Sequence, residues 1–226
     1  MWHDPGMGSS DPDGAGMRLV AAGRDCDVFD LGDGSVLRRR RDGRSLESEA
    51  AVMRHVADHG FPCVVLRRVD GPDMVLDRVE GETMADDLIA DPTGERLEGA
   101  GRLLADLHSR LHQIPPLVAH RGTVVHLDLH PQNVIMAEEG PVVIDWTNAT
   151  DGPPELDLAM TWVILEPLVS VLPPVADLLD AFLDAAGRAE ARRGLEAAVR
   201  RRLADPNVTA DERGAVRELL ARVQGA

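Results

Sequence analysis

The sequence contains no lysine and no tyrosine, so all 24 basic residues are arginine. Without lysine there is no pyridoxal-phosphate Schiff base and no lysine nucleophile. The phosphate-loop NTPase signature is excluded too, because it needs a Lys before its Ser or Thr. Any phosphate-binding cation must be an arginine. Against 39 Asp and Glu the net charge is −15, which argues against a nucleic-acid partner. It suits a cationic ligand, or simply keeps the chain soluble. Cysteine is scarce as well. Cys26 and Cys63 form no spaced pair, which points to reduced cytoplasmic thiols rather than a disulfide framework. Long apolar runs are missing: Ala159 to Leu172 is interrupted by Glu166 and Pro167 and is too short to span a bilayer. Residues 1–16 are rich in Gly, Asp and Pro with no apolar core, and are expected to be a disordered tail rather than a signal peptide.

The 226 residues present suit one domain or two small ones. Met17 to Ala22, Asp27 to Leu31 and Ser35 to Arg39 read as three strands, the last two joined by the turn signal Gly32-Asp-Gly34. A helix follows, capped by Ser45 or Ser48 and with Ser48, Ala51, Val52 and Val56 on its inner side. Gly60 and Pro62 stop it. Cys63 to Val69 and Met74 to Val79 are two further strands. After Gly81 the character becomes helical, first over Glu95 to Gln113 with its stripe Leu97, Leu103, Leu104, Leu107 and Leu111. Thr123 to Leu127, Val134 to Met136 and Pro141 to Ile144 are short apolar pieces. Three or four helices are expected from Glu155 onward, divided by Pro173-Pro174, Gly187 and Asp205-Pro206. The expectation is a β-rich unit over residues 17–81 and a helical unit over residues 82–226, with a hinge near Val79 to Gly81.

The informative window is Val124 to Ile135, which holds His126, Asp128 and Asn133 as His-x-Asp-x-x-x-x-Asn. Asp145 follows Asn133 by twelve residues, inside Val143-Ile-Asp-Trp146. This pattern resembles the kinase signature set, which implies phosphoryl transfer, where catalysis is mostly positioning and charge stabilisation. Asp128 can accept or orient an acceptor hydroxyl proton, and Asn133 and Asp145 offer hard oxygens suited to Mg2+. His126 and His130 lack the further N or S ligands that zinc wants.

His-x-Asp-Leu-His-Pro-x-Asn followed by Ile-Asp-Trp resembles the aminoglycoside phosphotransferase (phosphotransferase enzyme) family. Gly152 to Ala159 and Leu104 to His108 are similar to flanking segments of that family. The resemblance implies an α+β, protein-kinase-like fold of two lobes, with a small antiparallel sheet before a mainly helical part. It implies an ATP- or GTP-dependent O-phosphotransferase with Mg2+, acting on a hydroxylated and, in many members, cationic small molecule. By resemblance His126 is structural behind the catalytic loop and Asp157 braces that loop.

The position of the family's strand lysine falls on Arg38, with Arg40 the alternative. Its acidic partner is Glu49, eleven residues before Gly60, with Glu47 the alternative. Gly23 is the one glycine of the phosphate loop, where kinases carry two or three. Met74 to Gly81 resembles the hinge, so the backbones of Asp77 and Val79 would meet the base, with Leu76 lining its pocket. Glu155, Glu166, Asp177 and Asp180 are the acids that a cationic acceptor would meet by the same resemblance. Arg38 and the thin glycine loop also allow a nucleotide-binding module of the same fold with weak or no catalysis.

Overall fold

The computed structural model describes residues 17–23 and 25–225, so the expected tail lies outside the described residues. Five strands form the first sheet: β1 (Arg18–Ala22), β2 (Cys26–Asp30), β3 (Ser35–Arg40), β4 (Leu66–Asp70) and β5 (Asp73–Asp77). Their order is β1-β2-β3-β5-β4, antiparallel throughout. Gly32 and Gly34 both take φ +77°, and the β2–β3 turn needs that left-handed backbone.

Helix α1 (Glu47–Asp58) joins β3 to β4. Neither expected serine is its cap: Leu46 holds that position without a side-chain cap, and the Ser45 hydroxyl just before it accepts from the Glu47 N–H at 3.2 Å. The inner face is set differently from the expected one. Glu49, Ala50, Val52, Met53 and Val56 are buried, while Ser48 is exposed and Ala51 half-buried. The buried acid Glu49 belongs to this face, which an apolar pattern cannot reveal.

Strand β4 begins three residues later than its apolar run. Pro62 O accepts from Val143 N–H at 2.7 Å and Val143 O accepts from Val64 N–H at 3.3 Å, so the start of that run pairs with the far part of the chain. Next come β6 (Glu82–Thr83), α2 (Met84–Ala90), α3 (Gly94–Leu111) and β7 (Thr123–Val125). Strands β8 (Val134–Ala137) and β9 (Gly140–Val143) form a hairpin, and β6 adds to it through Glu82 opposite Met136. Gly81, at φ +136°, could carry no side chain here, since a Cβ would lie 2.5 Å from the Met136 carbonyl oxygen.

After β10 (Thr150–Gly152), which pairs with β7, four helices follow: α4 (Pro154–Val169), α5 (Val175–Ala186), α6 (Arg188–Ala204) and α7 (Ala210–Gln224). They divide at the expected Pro and Gly positions. Helix α4 is buried from Leu158 to Leu165 on every side, the signature of a central helix rather than a surface one. It packs on α6, and α3 packs on α5. One continuous apolar core runs from Leu46 to Leu219. No helix of the described residues is long and apolar enough to cross a membrane.

Two glycines of α3 separate packing from propensity. A Cβ on Gly101 would lie 2.3 Å from the Leu178 carbonyl oxygen of α5, whereas one on Gly99 would meet nothing within 4 Å. Gly101→Ala should therefore cost about 1–3 kcal/mol, while Gly99→Ala should gain about 0.5–1 kcal/mol. Urea unfolding of the two variants checks this; equal effects would refute the packing argument.

Candidate active site

The site is built on three segments, none of which could assemble it alone. The first is the loop after β7. His126 and Leu127 direct their backbone N–H groups to the carboxylate of Asp157, at 3.1 and 2.6 Å. Asp157 sits in the first turns of α4 and is fully buried. His112 Nε2–H donates to it at 2.9 Å, and His108 Nδ1 lies 3.3 Å away. These histidines stand four apart on α3, so both rings face the same carboxylate. One turn further along α4, the Thr161 hydroxyl donates to the Leu129 carbonyl at 2.7 Å and accepts from His108 Nε2–H at 2.9 Å. Asp157 and Thr161 thus clamp the chain on both sides of Asp128. Between the clamps Leu127 is forced to φ 63°, a left-handed conformation costly for a residue with a side chain.

Burial works against ionisation of Asp157, but His108 and His112 outweigh it and hold its carboxyl well below the usual carboxylate range. His108, His112 and Asp157 are close enough to share a cation. The Asp157 lone pairs already accept two backbone N–H groups and His112, so hydrogen bonding accounts for the cluster.

Asn133 is buried in the 3₁₀ turn before β8. Its Nδ2 donates to the Asp128 carbonyl at 2.8 Å and lies 3.3 Å from Asp128 Oδ2. His130 Nε2 lies 3.6 Å from Asp128 Oδ1. The second segment is the β9 end. Ile144 N–H donates to the Asn133 carbonyl at 3.0 Å, and His126 Nε2–H donates to the Ile144 carbonyl at 3.2 Å. The expected structural histidine therefore ties the Asp128 loop to the residue before Asp145. Its ring is buried against Trp146. Burial pushes the His126 pKa down, against the nearby Asp157, and keeps the ring neutral.

The third segment is β3. Arg38 Nη1 donates to Glu49 Oε1, and Nη2 donates to Asp145 Oδ1 at 3.0 Å and to Thr147 Oγ1 at 2.6 Å. The pairing expected between Arg38 and Glu49 is thus present, and Arg40 and Glu47 lie elsewhere: Arg40 pairs with Asp42, and Glu47 is exposed. The Arg38 and Glu49 side chains are only 12% and 6% exposed, but that of Asp145 is 41% exposed. Burial raises the Glu49 pKa, with Arg38 opposing. Burial acts the same way on Asp145, but Arg38 and the Thr147 hydroxyl prevail and hold it below its ordinary value. Asp145 itself takes φ 59°, the second left-handed non-glycine residue among those described.

The remaining expected residues have plainer places. Gly23 closes the β1–β2 turn with its own N–H, which donates to the Cys26 carbonyl at 2.9 Å. Asp77 ends β5, and its N–H donates to the Val65 carbonyl at 2.9 Å. Val79 lies just beyond that strand, partly buried against the core.

A family model for the phosphotransferase enzyme family matches residues 16–119 and 110–198. The chain belongs to the phosphotransferase enzyme family. No curated protein matches it. Among solved structures it is similar to an aminoglycoside-3'-phosphotransferase of type VIII, with 18% identity, 92% of this chain and 94% of that one covered, and a TM-score of 0.56. It is similar to APH(2")-IIa in its gentamicin complex, with 14% identity, coverage of 92% and 89%, and a TM-score of 0.57. A choline/ethanolamine kinase family protein from Mesorhizobium loti gives 18% identity, coverage of 93% and 87%, and a TM-score of 0.53. The fold is therefore the protein-kinase-like α+β fold of this family.

Within the family frame, two of the acids expected to face an acceptor are already partnered. Glu166 accepts from Trp162 Nε1–H at 3.0 Å and pairs with Arg222, and Asp180 pairs with Arg188 at 2.9 Å. These five residues and Leu179 border a cavity of about 410 Å³ among α4 to α7. The residues missed by sequence reading are Thr147, Thr161 and His112. Thr161 and His112 act over long sequence separations, and Thr147 joins its neighbour Asp145 to the distant Arg38, so none carries a signature in a pattern of neighbours.

The neutral, buried His126 makes folding sensitive to acid. A ring whose pKa is lowered on folding contributes stability that is complete above the unfolded value of about 6.5 and is lost as pH falls below it. Asp157, depressed from an ordinary carboxylate value, titrates only at lower pH, so it leaves this window alone. The unfolding free energy should drop by up to about 1.4 kcal/mol per pH unit for this group as pH falls below 6.5. Urea unfolding at pH 7, 6 and 5 should show a shallower drop in His126→Asn; identical slopes would remove His126 as the cause.

Proposed function

We propose that this chain is an ATP- or GTP-dependent O-phosphotransferase that passes the γ-phosphoryl group to a hydroxyl of a small molecule. The observation that carries the reading is the convergence of Arg38 from β3, Asp145 after β9, and Asp128 with Asn133 on one hydrogen-bonded frame. Residues 17–81 would hold the nucleotide and residues 82–226 the catalytic loop. Asp128, steadied by Asn133, would take the acceptor's proton as its oxygen attacks. Asn133 spends its Nδ2 on Asp128, so its oxygen and the half-buried Asp145 carboxylate form the hard-oxygen pair that fits Mg2+. Bound there, Mg2+ would neutralise charge on the nucleotide phosphates. Arg38 uses three of its five N–H donors within the protein and keeps two for phosphate oxygens. The backbones of Asp77 and Val79 would meet the base.

The acceptor's charge does not follow from Glu166 or Asp180, since arginines already neutralise both. Cytoplasmic residence fits the nucleotide and the two free cysteines. A second reading, nucleotide binding with little catalysis, is favoured by Gly23, whose N–H closes its own turn instead of facing a phosphate.

Transfer from radiolabelled ATP and GTP to a panel of aminoglycosides, macrolides, sugars and amino alcohols separates the two. Asp128→Asn should lower transfer about 10²–10⁴-fold while Mg-ATP binding by calorimetry persists. Tight binding without transfer to any acceptor would favour the second reading, and full turnover in Asp128→Asn would remove Asp128 from the chemistry. Arg38→Ala, which strands buried Glu49, should cost about 3–5 kcal/mol of stability, and Arg38→Lys should keep most of it. Equal denaturation midpoints for these two variants would refute the pairing.

A further inference from the structure

We propose that Thr147 is a positioning residue for Asp145, setting the affinity of the site for its divalent cation. The inference rests on the nucleotide reading above. Thr147 lies in the 3₁₀ turn that starts at Asp145, two residues on. Its hydroxyl has one hydrogen and two carboxylates within reach: Asp145 Oδ1 at 2.7 Å and Glu49 Oε2 at 3.4 Å. The shorter bond takes the proton, so Thr147 donates to Asp145. Its lone pair meanwhile accepts from Arg38 Nη2 at 2.6 Å.

Asp145 Oδ1 thus receives two donors, Thr147 Oγ1 and Arg38 Nη2. The cation-binding capacity of the carboxylate is left to Oδ2. The two donors differ in permanence. Arg38 carries the charge that a phosphate would draw away, and as it turns, its bond to Oδ1 loosens. Thr147 is fixed in the turn and keeps its bond, so the carboxylate holds its rotamer through that exchange. Thr147 also gives Nη2 a second acceptor, which keeps the guanidinium from closing wholly on Asp145 and competing with a cation for it. Removing the hydroxyl both frees the carboxylate and strengthens its competitor. Both effects weaken the cation and neither requires a change in the fold.

Mn2+ serves as the probe, its free fraction read by electron paramagnetic resonance in the presence of a non-hydrolysable ATP analogue. Thr147→Val preserves shape without the hydroxyl, and Thr147→Ser preserves the hydroxyl. Thr147→Val should weaken Mn2+ about 10-fold, in keeping with loss of a hydrogen bond to a charged group. Thr147→Ser should match the unmutated protein. Nucleotide affinity in EDTA should change far less than Mn2+ affinity in Thr147→Val, and the unfolding midpoint of Thr147→Ser should match that of the unmutated protein. Unchanged Mn2+ affinity in Thr147→Val, or equal losses in both variants, would overturn the assignment. Failure of the unmutated protein to take up Mn2+ with nucleotide would overturn the nucleotide reading, and this inference with it. If Thr147→Val does not fold, Thr147→Ala against Thr147→Ser makes the same comparison.

Discussion

Among the described residues Asp157 is buried with histidine and backbone partners and no arginine ion pair, and the placement of the Asp128 loop follows from how that charge is satisfied. Burying a carboxylate is expensive unless donors replace the lost water. Here two donors are consecutive backbone N–H groups, of His126 and Leu127. Consecutive N–H groups converge on one carboxylate only when the backbone turns sharply, which accounts for the left-handed Leu127. The next residue is Asp128. Its direction is thus set by a charge on a different helix, and Thr161 on that same helix catches the loop again at Leu129. Because α4 is packed on all sides, its clamps cannot drift.

The second half of the site is tied to the first through neutral groups. His126 links backbone to backbone across two loops, and the Ile144-to-Asn133 bond runs beside it. Neither contact depends on charge, so the loops that carry Asp128 and Asp145 stay in register whatever ionic partners enter between them. The ionic contacts, from Arg38 to Glu49 and Asp145, are added to that frame from β3. The register of the two loops is supplied by hydrogen bonds among neutral and backbone groups, and the charges are set upon it.

What sequence reading could reach follows from how local each signal is. The strands β1 to β5 and the breaks at Pro173-Pro174, Gly187 and Asp205-Pro206 depend on residues within a few positions, and they were legible. So was the closeness of Asp128, Asn133 and Asp145, whose spacing lies within one loop and one hairpin. The face of α1 was misread because its inward position is occupied by Glu49, an acid made tolerable only by Arg38 across the sheet. The start of β4 was misread because Cys63 and Val64 pair with Val143, some 80 residues on. Thr147 and Thr161 are ordinary hydroxyls in sequence. Thr161 gains its role from a partner 32 residues away, and Thr147 is set apart from any other turn hydroxyl by Arg38, 109 residues away, which no pattern of neighbours encodes.

The absence of lysine takes its meaning from this geometry. An ammonium is a compact point charge whose three donors share one atom, whereas a guanidinium holds donors on separate nitrogens in a plane. At position 38 the separation is used: Nη1 is given to Glu49, and Nη2 to Asp145 and Thr147. One cation therefore reaches the helix acid and the β9 loop at once, and the hydroxyl of Thr147 is the acceptor that makes the second arm's position specific. A lysine could neutralise Glu49 from the same strand position, but it could not hold both ends in fixed geometry. The arginine and the threonine form a matched pair, and the site is better understood as built around that fork than as a lysine site with one residue exchanged.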